Sequence, residues 1–238
     1  SICILAPKMI ECLRHPNIEL LTYSEVKEVR GSVGNFGVKV LRKARYVDEE
    51  TCVGCDICAQ HCPVELPNEF DEGLGIRKAI YTPFPQAVPR AYVVDRDNCI
   101  ECGLCTSVCP AKAVDLKQEP KEVELDVAGI IVATGFDVFK PHRITSYGYG
   151  RYRNVITALE LERLLSASGP TGGRLIRPSD GRIPKSVAFI QCVGSRDRRF
   201  GYPYCSSICC KYAVKDAVLI REHWHQIEVT IFYIDLGV

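Results

Sequence analysis

A four-cysteine run, C-x2-C-x2-C-x3-C followed at once by proline, is written twice in this chain: Cys52, Cys55, Cys58 and Cys62 before Pro63, then Cys99, Cys102, Cys105 and Cys109 before Pro110. A cubane of iron and sulfur needs four thiolates converging from different directions. One tight loop can aim only three of them, so the fourth comes from elsewhere in the chain. The flanks repeat as well, since VDEETCVGCDICAQHCP aligns without a gap on VDRDNCIECGLCTSVCP. The spacing predicts two iron–sulfur sites in one pseudo-symmetric unit whose work is moving electrons.

The same spacing is that of bacterial two-cluster ferredoxins, in which the fourth cysteine of each run crosses to the other cluster. That resemblance pairs Cys52, Cys55 and Cys58 with Cys109, and Cys99, Cys102 and Cys105 with Cys62. Zinc is the competing occupant because it also accepts four thiolates, but zinc sites seldom use three evenly spaced cysteines plus Cys-Pro, let alone twice. Fourteen cysteines in 238 residues of ordinary apolar content, eight of them in these runs, fit a reducing, anaerobic cytoplasm better than a disulfide-stapled secreted domain. No apolar run is long enough to span a bilayer, and the opening SICILAPKMIECL is interrupted by Pro7 and Lys8, unlike a signal peptide. A formal net charge of +1 carries no footprint for nucleic acid or a membrane surface. Arg196, Arg198 and Arg199 read as a solvated loop.

Around this unit, IELLTYSEV and the alternating NFGVKVLRKARYV read as strands, and VELDVAGIIVATGFDVF reads as a strand running into Ala133, Thr134 and Gly135. In flavoproteins of the thioredoxin reductase type, a β-meander leads into a strand ending in A-T-G, where the chain turns against the flavin. On that resemblance Ala133, Thr134 and Gly135 contact FAD, and the ferredoxin is an insertion whose ends lie close together. The G-x-G-x-x-G loop that cradles a pyrophosphate is not found: GSVGNFG has the wrong spacing and GYGRYR lacks the third glycine. Opening at Ser1 without a methionine, the chain reads as truncated at its N-terminus, with that loop in the missing part. The last third predicts a β-α-β unit, with strands over Val187 to Gln191 and Ile227 to Ile234 and a helix over about Ile208 to His223. In place of a second glycine loop it presents Cys192, Cys205, Cys209 and Cys210. These four are candidates for a third 4Fe–4S cluster at a helix N-terminus, against a zinc site, a disulfide or buried free thiols. Adjacent Cys209 and Cys210 are poor disulfide partners for each other.

Cys3 and Cys12 remain, read as small apolar packing residues, with Cys3 in a loop near the flavin as the competing functional reading. His61, His223 and His225 are assigned no chemistry. Lys215 lies five residues after Cys210 on the same predicted helix, from which its ammonium would reach past the cluster toward a flavin and tune its potentials. A solvated lysine on an amphipathic helix is the alternative.

The segments LAPKMIECLRHPNIELLTYSEV, NEFDEGLGIRKAIYTPFPQAVP, IIVATGFDVF, NVITALELERLLSASGPTGG and FIQCVGSRD, followed by YCSSICCKYAVKDAVLI, closely resemble the HdrA family, the A-type iron–sulfur flavoproteins of heterodisulfide reductase and their bacterial homologues. The resemblance implies an α/β protein: an incomplete, Rossmann-type, thioredoxin-reductase-like FAD domain (residues 1–46 and 118–184), an inserted α+β two-cluster ferredoxin (47–117), and a second Rossmann-like segment with its own cysteine site (185–238). It implies FAD and three 4Fe–4S clusters, partner subunits of a heterodisulfide reductase-type complex, a hydrogenase or formate dehydrogenase module, ferredoxin, and electron bifurcation at the flavin. Two other functions compete. A flavin-free polyferredoxin carrier needs neither the A-T-G strand nor the β-α-β unit, and an NAD(P)H-dependent oxidoreductase akin to glutamate synthase small subunits would keep the second glycine loop.

Overall fold

The computed structural model describes residues 2–236, with side chains from residue 4 onward. The chain is mixed α/β and forms two compact units, Ser1–Phe70 with Ile76–Thr134, and Asp71–Gly75 with Gly135–Val238. Among the described residues no helix is long and apolar enough to cross a membrane.

In the first unit, helix α1 (Ile2–Arg14) precedes a hairpin of β1 (Ser24–Ser32) and β2 (Asn35–Arg42). The hairpin turns over Val33-Gly34, where Gly34 takes φ +89°, a conformation that costs a residue without a Cβ nothing. The chain then runs through the two cysteine loops and returns as β7 (Lys121–Val127), antiparallel to β2 with Arg42 opposite Lys121 and Phe36 opposite Val127. Val38 and Val40 of β2 face Leu125 and Val123 across this ladder and Val29 and Val26 across the other, so one face of the three-stranded sheet is apolar by period-two alternation. Both ends of the intervening segment therefore leave one edge of the sheet side by side.

That segment is a small α+β body. Helix α2 (Ile57–Gln60) and helix α3 (Leu104–Val108) are single turns within the two cysteine runs. Two strand pairs and an isolated bridge brace them: β3 (Glu65–Pro67) with β4 (Ile76–Lys78), β5 (Ile80–Tyr81) with β6 (Val93–Val94), and Val47 with Val114. Val47, Ile80, Val94 and Val114 form its core together with Cys58 and Cys105.

The second unit holds a parallel pair, β8 (Ser186–Ile190) and β9 (Glu228–Phe232), joined through helix α5 (Cys209–His223). Parallel neighbours need such a crossover. Ala213 and Ile220 of α5 pack with Phe189 of β8, Ile227 and Leu161; each large apolar side chain buried this way contributes roughly 1.5–3 kcal/mol. Leu161 belongs to helix α4 (Ala158–Leu165), which opens on a reciprocal cap: Thr157 accepts from the Glu160 N–H while Glu160 reaches back to the Thr157 N–H.

Three expectations are corrected. The strand read as running into Ala133 ends at Val127, and Ile131 beyond it is 96% exposed; among the described residues nothing pairs with Ile130–Val132, so that apolar run has no ladder to hold it extended. IELL contributes no strand, since β1 begins at Ser24, and NFGVKVLRKARYV stays in the ladder only to Arg42. Cys3 falls in α1 rather than in a loop; its side chain lies outside the described residues.

Candidate iron–sulfur centres

Each cysteine run turns around a cavity. The first is lined by Cys52, Cys55 and Cys58 together with Cys109; the second by Cys99, Cys102 and Cys105 together with Cys62. The folding reason is local. In each run the backbone turns left-handed twice, at Gly54 and Asp56 (φ 64° and 69°) and at Glu101 and Gly103 (φ 56° and 74°), which curls the first three cysteines inward and launches α2 or α3. Proline then forces the residue before it out of helix, and Cys109 is accordingly extended. Backbone N–H groups of Glu101 and Ala113 point at the sulfurs of Cys99 and Cys109, both at 3.4 Å.

Burial, with the nearby Cys52, Cys109 and Cys55 thiols adding to it, pushes the Cys58 thiol up to about 12. Burial likewise raises Cys105, and Cys99 and Cys102 add to the shift. Thiolates crowded in an apolar pocket need compensating positive charge, which iron supplies when bound. The donor sets and the two cavities thus fit a four-iron cluster each. Tyr92 also lines the first cavity. Its hydroxyl donates to Asp56 Oδ1, while Gln60 Nε2 donates to Oδ2 at 3.3 Å. Burial first, and then the Asp56 acceptor, hold the Tyr92 phenol well above its ordinary value.

The second unit gathers its cysteines differently. Cys192 follows β8 in a left-handed conformation (φ 59°), Cys205 sits in the loop, and Cys209 and Cys210 open α5, both buried. Burial would raise the Cys209 thiol, but the Cys192 backbone N–H, the Ser206 hydroxyl and Cys210 hydrogen-bond to it and bring it below its usual value. Cys192 is pushed up by burial and by Cys209. The Ser207 N–H donates to Cys205 Sγ at 3.3 Å. No side chain caps α5 at Ile208, and the Lys211 N–H turns back to the Ile208 carbonyl at 3.1 Å. Among the described residues, no three ligating side chains close on a single metal ion.

Ala133, Thr134 and Gly135 lie in irregular, exposed chain, with Gly135 at φ +79°. Lys215 is on α5 with its ammonium against Glu162 of α4 and 3.0 Å from Asp216 Oδ1. Cys12 is exposed on α1 rather than packed. His61 Nδ1 lies 2.9 Å from the Ile57 carbonyl oxygen, away from any thiol role. Arg196 pairs with Asp235 and Arg199 with Asp197, as befits a solvated loop. Sequence reasoning passes over Asp56, Tyr92, Glu162 and Asp216. For Asp56 a signal exists, because the gapless repeat sets it opposite Gly103.

A family profile described as a 4Fe-4S dicluster domain matches residues 51–114. The fold and that match define the class, an iron–sulfur protein built on a two-cluster ferredoxin. Over 236 residues, 99% of this chain, the sequence is 62% identical to a CoB–CoM heterodisulfide reductase iron-sulfur A-subunit of Methanopyrus kandleri. It is 57% identical over the same share to the A-subunit of the H2:CoB–CoM heterodisulfide,ferredoxin reductase of Methanothermobacter marburgensis, and 57% to that of the H2/formate:CoB–CoM heterodisulfide,ferredoxin reductase of Methanococcus maripaludis. Over 99% of its length the chain is similar to heterodisulfide reductase iron–sulfur A-subunits. It spans 36% of the length of each of these relatives.

Proposed function

We propose that this chain is the electron-transferring iron–sulfur portion of an oxidoreductase, a heterodisulfide reductase-type A-subunit that passes electrons between FAD and 4Fe–4S clusters in flavin-based bifurcation. The observation that carries the reading is the pair of cavities, each ringed by three cysteines of one run and the fourth of the other. We assign Cys52, Cys55, Cys58 and Cys109 to one cluster and Cys99, Cys102, Cys105 and Cys62 to the second, with Cys192, Cys205, Cys209 and Cys210 holding a third. Thiols that surround a cavity, rather than close on one point, suit a multi-iron cluster better than a single zinc. When bound, the clusters supply one-electron redox steps. The chain's own work is to hold the two ferredoxin clusters at fixed separation, exclude water with Val47, Ile80 and Val94, and direct N–H groups at sulfur.

The insertion of the ferredoxin into the β2–β7 ladder, and the crossover unit that follows in the chain, support a thioredoxin-reductase-like FAD domain as the host. In this reading Ala133, Thr134 and Gly135 contact the flavin. Lys215, anchored by Glu162, places a cation that stabilises negative charge on it. The other polypeptides of the complex, ferredoxin, and a hydrogenase or formate dehydrogenase module are the partners, in agreement with the names of the relatives. The working setting is an anaerobic cytoplasm.

The test is anaerobic reconstitution with iron and flavin quantified. About twelve irons per chain are expected, four for each of three clusters, and zinc retained in their place at any site would overturn that site's assignment. FAD is expected to bind weakly to these 238 residues and tightly to a longer chain that supplies the glycine loop. In that longer chain, Lys215→Met is expected to shift the flavin potentials with iron content unchanged.

A further inference from the structure

We propose that Asp56, held in place by Tyr92, lowers the reduction potential of the cluster in the first cavity, and that the second cavity lacks this influence because its matching residue is Gly103. The inference rests on the two-cluster reading above. In the gapless alignment of the two runs, Asp56 and Gly103 both follow the second cysteine, and both take the left-handed conformation, at φ 69° and 74°. The backbones are alike and the side chains are not. At Gly103 a Cβ would meet nothing within 4 Å, so a side chain begins there without a clash, at the left-handed backbone cost that Asp56 already bears.

The carboxylate of Asp56 is fixed on two sides. Tyr92 donates to one oxygen and Gln60 to the other, while Tyr92 itself lines the cavity and stands within electrostatic reach of Cys58 and Cys52. The phenol hydroxyl is thereby spent on Asp56 and not on a cluster sulfur. Cluster potentials follow net charge, hydrogen bonds to sulfur and solvent exposure. Reduction adds one electron to the cluster with no bond made or broken, and a carboxylate beside the loop opposes that added charge. Two cations also face this loop: Arg45, near Cys52 with Glu49 as its counter-charge, and Arg90, which donates to the Gly54 carbonyl at 3.4 Å. The second loop has a carboxylate of its own in Glu101, but Arg96 pairs with it at 2.8 Å; none of these charges changes when Asp56 or Gly103 is exchanged, so each exchange isolates the one carboxylate. Tyr92 is a positioning residue in this scheme.

The experiment is a redox titration of the full-length protein with dithionite and mediators, followed by electron paramagnetic resonance. Cys58→Ala and Cys105→Ala assign the two ferredoxin signals, and iron is counted in every variant. Asp56→Asn, which suits the left-handed position, is expected to raise the midpoint of the first cluster alone. Gly103→Asp is expected to lower that of the second alone. Tyr92→Phe frees the carboxylate toward solvent and is expected to give a smaller rise at the first. With iron content intact, unmoved midpoints in both Asp56→Asn and Gly103→Asp would overturn the inference, whereas wild-type protein that fails to hold iron at these cavities would overturn the two-cluster reading instead.

Discussion

Cys58 and Cys105 are members of the ferredoxin body's own core, and Cys52, Cys62, Cys99 and Cys109 pack against it. In the β-α-β unit, by contrast, the apolar cluster of Leu161, Leu175, Phe189, Ala213, Ile220 and Ile227 includes no cysteine among the described residues. The helices of the first body are single turns, far below the length at which a helix holds itself. The second has a fifteen-residue helix laid across a parallel strand pair. One region therefore counts its candidate cluster ligands as part of its core, and the other has an apolar cluster built without its four cysteines. Where ligands are core, binding free energy is folding free energy.

Removal of iron by an anaerobic chelator gives the largest expected contrast. Amide hydrogen exchange is expected to lose protection throughout residues 47–117 while α5 and its two strands keep theirs; equal loss in both regions would break the comparison. Next in size, Cys58→Ala is expected to cost about a third of some twelve irons per chain, read by metal analysis, with the β-α-β unit unaffected. Ile220 is fully buried, and Ile220→Ala is expected to destabilise the second unit by about 2–5 kcal/mol, measured by denaturant unfolding, with ferredoxin iron unchanged.

The smallest effect concerns Asp216, which is 0% exposed, with the Lys215 ammonium 3.0 Å from its Oδ1 and, among the described residues, no donor to its Oδ2. Burial holds its carboxyl above the ordinary range against the pull of Lys215. With a folded-state value above the unfolded one, the unfolded chain sheds its proton first as pH rises, so stability from this group is highest at low pH and is lost through the folded-state value. Asp216→Asn is expected to be more stable than wild type at pH 7 by about 1 kcal/mol. That gain is expected to shrink away as the pH falls toward about 4, and a gain independent of pH would remove Asp216 from this account.

Legibility follows how local each signal is. The cysteine loops are written in turn chemistry and ligand spacing within a few residues, and the β-α-β unit in apolar periodicity, so α5 begins one residue from its expected start. The A-T-G segment misleads because an apolar run becomes a strand only beside a partner, and Ile130–Val132 has none among the described residues. Helix α4 carries a readable cap in Thr157 and Glu160, yet its eight residues of mixed pattern give no strong period. The Tyr92–Asp56 contact joins residues 36 apart, and no short-range rule reaches across that distance.

The pairing of Arg42 with Lys121 makes the ferredoxin an insertion at a single rung of the sheet. Its two leads emerge from facing rungs of one antiparallel ladder, at the separation an ordinary tight turn would bridge. Such a socket imposes almost no shape on what is plugged into it, and a loop of any length there adds only a slowly growing entropic cost to closing the sheet.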